Sequence, residues 1–113
     1  MKYLKLIVDN KKKNFNKFFN KKELEVILNL YAKMVSSGEW KDYGLNISKR
    51  EVSFNVYRRA TEFPIFRIMK NLNPKNKDDK YLVKDMHGNI INNSENLGNL
   101  IQNVKWKKFR LVN

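Results

Sequence analysis

The hydrophobic pattern of this chain changes period at Gly38, and that change limits the fold more than any other feature. Before it, Leu24, Ile27, Leu28, Tyr31, Met34 and Val35 recur at the spacing of one helix face over about four turns. After it, Tyr43, Leu45 and Ile47 alternate with Asp42, Gly44 and Asn46, and Val52, Phe54 and Val56 alternate with Ser53, Asn55 and Tyr57. Side chains repeat every 3.6 residues on a helix and every two on a strand, so a helix gives way to strands here. The flanking residues agree. Asn20 with Glu23 three residues on has the pattern of a reciprocal capping box, and Gly38 supplies the left-handed residue that stops the helix.

The remainder continues as strands. Ser48-Lys49-Arg50 is a short hairpin connection, and a third strand runs from about Phe63 to Lys70, with Pro64 near its start where a missing donor does least harm. Asn71–Asp79 is a polar loop. Lys80–Met86 forms a fourth strand, His87-Gly88-Asn89 turns, and Ile90–Ile91 makes a short fifth. Ser94 caps a second helix carrying Leu97, Leu100, Ile101 and Val104, and its basic end, KWKKFR, complements the helix dipole. The expected fold is α+β: a helix, an antiparallel β-meander of four to five strands and a C-terminal helix. The first helix packs on one sheet face, because a meander with one apolar face cannot stand alone. At 113 residues the chain holds one core. Residues 1–19 form a basic N-terminal strand or arm, with a short strand at 2–8, and 20–113 a single α+β domain.

Charge bounds the partners. The net charge of +13 points to polyanions such as nucleic acid, although only five of the 24 basic residues are arginine. Joint lysine and asparagine excess is also what an AT-rich genome produces without functional cause. Residues 10–22 hold six lysines and no acid, interleaved with Phe15, Phe18 and Phe19. Such a block is a solvated linker whose phenylalanines dock on the body, or a basic arm that orders on a phosphate backbone. There are no cysteines, so disulfide scaffolds and thiolate metal sites are excluded. The apolar run Leu4–Val8, broken by Lys5, is too short for a signal-peptide core or a membrane span, so the expected location is cytoplasmic, without membrane association.

Catalytic constellations are nearly absent. His87 is the only histidine and sits in a turn, and no Gly-rich phosphate cradle, Ser/His/Asp set or metal-spaced carboxylates occur. The expectation is a protein that is not an enzyme, with no metal and no small-molecule cofactor. Strand alternation suggests a binding face instead. With Val52, Phe54 and Val56 facing the helix, Asn55, Tyr57 and Arg59 face away, joined on the next strand by Ile65, Arg67 and Met69. A tyrosine beside guanidinium forks suits single-stranded nucleic acid, by stacking and phosphate pairing. The candidate binding residues are therefore Trp40, Lys41, Tyr57, Arg58, Arg59 and Arg67. The leading expectation is RNA or single-stranded DNA, or a ribonucleoprotein. The alternative is a protein–protein adaptor or regulatory subunit, including a homodimer through the outer sheet face.

The stretches ELEVILNLYAKMVSSGEWKDYGLNI and EVSFNVYRRATEFPIFRIMK carry a resemblance. They resemble the alphaproteobacterial domain of unknown function 2794, whose pattern runs ILNLYG, VA-x-GEWRDYAID, VFS-x-FRR and PLYRI. The matching positions are Ile27–Tyr31, Gly38–Tyr43, Val52–Phe54, Tyr57–Arg59 and Pro64–Ile68. Ala32 stands where the family has glycine, and Lys41 where it has arginine, which removes a bidentate fork at that position. The resemblance implies a small bacterial cytoplasmic protein and brings no activity with it. Physically, the GEWKDY segment reads first as a joint, the alternative being a binding site on the loop between two rigid elements. Trp40 packs over the helix end, Tyr43 opens the strand's inward face, and Glu39 and Asp42 pair with Arg58, Arg59 or Arg67.

Overall fold

The computed structural model describes residues 18–59 and 63–106. The expected strand at 2–8, the lysines of the arm and the basic KKFR end lie outside the described residues. Helix α1 spans Lys21–Ser36 and opens on the expected capping box. The Asn20 side chain accepts from the Glu23 N–H at 2.8 Å, and the Asn20 N–H donates to Glu23 Oε1 at 2.7 Å. It closes on a Schellman motif: Gly38, at φ +82°, donates to Val35 O and Glu39 donates to Met34 O.

Five strands follow: β1 Asp42–Ile47, β2 Glu51–Tyr57, β3 Phe66–Asn71, β4 Tyr81–Asp85 and β5 Ile90–Ser94. They form one antiparallel meander in the order β1-β2-β3-β4-β5. A short 3-10 turn, Lys77–Asp79, interrupts the polar loop before β4. Helix α2, Leu97–Asn103, closes the described chain and packs on β4, β5 and α1. The fold is therefore α+β, with both helices contributing to a core on one sheet face.

That core is aromatic. Tyr43 stacks on Phe54 with ring centroids 5.2 Å apart, and Tyr31 meets both edge-on. Phe19 is fully buried, so the core begins one residue ahead of the capping box, with Phe18 packed against it. Leu30 is also buried, although it lies off the stripe read from the sequence; α2 and Trp106 flank that side of α1.

Several expected boundaries move. β3 begins at Phe66, because Pro64 has no N–H and pairing starts only with the bond from Ile65 N to Val56 O. β5 extends to Ser94, carried by its ladder to β4. Helix α2 is capped by Asn96, which accepts from the Asn99 N–H at 2.9 Å; Ser94 Oγ instead accepts from the Asn96 N–H. Ile65 packs against the core and not on the outer face.

Candidate functional site

Register fixes what the outer sheet face carries. Asn55 pairs with Arg67, and Arg67 in turn with Lys84, so one row crosses β2, β3 and β4. Arg67 and Lys84 are half-buried, lie directly opposite each other, and have no ion pair or side-chain hydrogen bond among the described residues. Like charges directly opposite on adjacent strands destabilise a sheet. Nearby outward positions are closed: Met69, Ser53 and Asn55 are buried, with Ser53 Oγ donating to Asn55 Oδ1 at 3.0 Å.

Of the expected site residues, Arg67 alone lies on that row. Trp40 is 1 % exposed, walled by Tyr31, Phe66 and Trp106, so it belongs to the core and not to a recognition surface. Its indole N–H is buried and has no hydrogen-bond partner among the described residues. Tyr57 faces outward but leans over β1: a Cβ at Gly44 would stand 3.6 Å from its ring. The tyrosine thus covers a glycine on an edge strand, away from Arg67. β2 ends at Tyr57, so the alternation stops there, and exposed Arg58 and Arg59 lie in the bend beyond it. Lys41 is exposed beside the same strand end. Asp42 accepts from the Tyr43 N–H, and among the described residues neither it nor Arg58 nor Arg67 enters an ion pair.

A cleft at this end of the sheet does gather motif residues. It has a volume of about 270 Å³. Ile65, Phe66, Met86 and Trp106 form its apolar wall; Glu39, Arg58, Asp85 and His87 supply its polar groups. The helix–strand joint, the double-arginine bend, the start of β3 and the β4–β5 turn meet here. Trp106 is held by donating Nε1–H to Ile101 O at 2.8 Å and lies edge-on to Phe66 at 5.0 Å. Asp85 anchors the turn: its Oδ1 accepts from the backbone N–H groups of His87 and Asn89, both at 2.9 Å. The Asn89 N–H first, with His87 and the Asn89 side chain adding to it, holds this carboxyl below the usual carboxylate range. A larger hollow of about 580 Å³ at the opposite end has only polar and charged lining, including Arg50, Lys75 and Asp79, and no apolar wall.

A second cluster was invisible in the sequence. Glu23 is buried, and besides capping α1 it accepts from Lys70 Nζ at 2.9 Å and from the Tyr81 hydroxyl. Burial first, then the Glu23 bond and charge, raise the Tyr81 phenol above its ordinary value. Through these bonds the trio ties α1 to β3 and β4. No group of described residues has the composition to hold a metal ion, and no helix of the described residues is long and apolar enough to cross a membrane.

A family profile of the DUF2794 proteins, proteins of unknown function, matches residues 17–101. The chain belongs to that family. The match spans α1, all five strands, α2 as far as Ile101 and seven of the eight cleft residues, and Trp106 lies beyond it. No curated protein and no solved structure matches the chain. Sequence reasoning missed Lys84 and the cleft, because both depend on strand register. The alternation of Leu82 and Lys84 against Tyr81 and Val83 was the only available signal.

Proposed function

We propose that this DUF2794 protein is a non-enzymatic binder of single-stranded nucleic acid, RNA or DNA. The Arg67–Lys84 row of the outer face is its phosphate contact. One observation carries the reading: two cations stand directly opposite on neighbouring strands, with no carboxylate paired to either among the described residues. Such a pair costs stability in the free protein, and a bridging phosphate removes that cost. The net charge of +13 supplies the long-range attraction.

The test is the salt dependence of binding to a single-stranded oligonucleotide. Each phosphate contact adds about 0.7 to the slope of log affinity against log salt. Arg67→Gln with Lys84→Gln should lower that slope by about 1.4. Neutralising Lys11, Lys12 and Lys13 separately reports on the arm. If the arm variant loses all binding while the sheet variant binds as the parent does, the sheet is not the site.

A second reading has its own observation. Met86, Ile90 and Ile91 are 52 %, 58 % and 43 % exposed, and β5 is an edge strand without a charge or a proline. An edge of that kind pairs with a second copy of the chain. Sedimentation of the parent against Ile90→Lys distinguishes a dimer, which the variant would dissolve, from a monomer.

A further inference from the structure

The polar groups of the cleft are of both signs, which a phosphate contact does not explain. We propose, resting on the nucleic-acid reading above, that the cleft of Arg58, Phe66, Met86, His87 and Trp106 receives one nucleobase of the bound strand. A phosphate entering there would meet the Asp85 and Glu39 carboxylates. A wholly apolar ligand would strip water from Arg58 and His87. A base satisfies both demands, because it offers an apolar face to an aromatic wall and an edge bearing donors and acceptors.

The side chains are placed to read such an edge. Among the described residues, Arg58 and the His87 imidazole make no side-chain hydrogen bond, so their donors are available. Asp85 Oδ2 holds only a long bond from the Asn89 side chain, at 3.4 Å. Its carboxyl stays ionised at neutral pH and so only accepts, which suits an exocyclic amino group. The volume, about 270 Å³, lies just below the range of small-molecule sites and suits one base.

The position fits as well. Phe66 pairs with Asp85 at the register step next to Arg67 and Lys84, on the opposite face. One step is about 3.3 Å along a strand. A nucleotide chain held by its phosphate on the outer face therefore needs only to turn over this end of β3 and β4 to seat a base.

Two titrations of the full chain test this. Adenosine, cytidine, guanosine and uridine, added singly, should change the tryptophan fluorescence saturably for at least one of the four, with little effect of salt. A single-stranded oligodeoxynucleotide should bind at least about fivefold more tightly than an abasic strand of equal length, the low end of a base–aromatic stack. Arg58→Gln, and separately Met86→Ser with His87→Ala, should remove that difference and leave the salt slope unchanged. Met86 and His87 are exposed, so their variant keeps its unfolding midpoint. If no nucleoside registers and both strands bind equally, the cleft proposal is overturned while the sheet reading stands. If nucleosides register but Arg67→Gln with Lys84→Gln leaves strand binding unchanged, the cleft stands and the sheet reading falls.

Discussion

Trp40 carries the largest side chain among the fully buried residues, and it sits where α1 ends and β1 begins. Trp40→Ala should destabilise the protein by about 3–5 kcal/mol, read from the midpoint of chemical denaturation. An unchanged midpoint would mean that the indole contributes nothing to the joint. Glu23 is a different kind of buried residue. It pairs Lys70, accepts from Tyr81 and caps its own helix, so Glu23→Ala leaves an ammonium uncompensated and should cost about 3–5 kcal/mol. Tyr81→Phe, which removes one donor and keeps the packing, should cost about 1–3 kcal/mol. The phenol also sets a pH dependence. Its folded value is raised, so its contribution is complete below the unfolded value of about 10 and falls as pH rises above it. Alkaline denaturation of Tyr81→Phe should therefore show a shallower loss than the parent; equal slopes would assign that loss to lysines alone.

Among the elements, α1 was the most legible, because everything that starts and stops it is local. Asn20 and Glu23 lie within one turn, and the Schellman bonds join residues three and five apart. Gly38 is left-handed with open space around it, so Gly38→Ala should cost about 1–2 kcal/mol from backbone conformation alone, measured as a drop in unfolding free energy. Gly44 behaves oppositely. An added Cβ would make ordinary contact with the Tyr57 ring at 3.6 Å, so Gly44→Ala should be neutral or gain up to about 1 kcal/mol. The strands were legible as a meander but not in their limits. Asn92, Asn93 and Ser94 have poor strand propensity, and the pairing of Tyr81 with Ser94, Leu82 with Asn93 and Val83 with Asn92 holds them extended. The cleft was illegible for a related reason: Glu39, Arg58, Asp85 and Trp106 come from four separated stretches, brought together by strand register and by the packing of Trp106 on Trp40 and Phe66. Trp40 packs at the joint as the helix end requires, which removes it from the candidate binding residues, and for Arg59 the alternation was carried past the end of its strand.

For the molecule as a whole, the question is whether +13 charges are a consequence of composition or a working surface. Scattered exposed lysines do not answer it, because each is separately solvated and costs the fold little. The Arg67–Lys84 pair does bear on it, since half-buried like charges held opposite each other work against folding and gain nothing in the free protein. A surface kept for binding should therefore trade stability for affinity at this one place. Lys84→Gln should raise the unfolding free energy by about 0.2–1 kcal/mol, and the same variant should bind single-stranded nucleic acid more weakly. Lys84→Glu should stabilise further and bind weaker still, because it makes an opposite-charge pair with Arg67 and repels phosphate. Denaturation and salt-dependent binding measured on the same preparations decide the matter. Were both variants less stable than the parent, the opposed cations would not be working against the fold, and the anion-binding reading would lose its support.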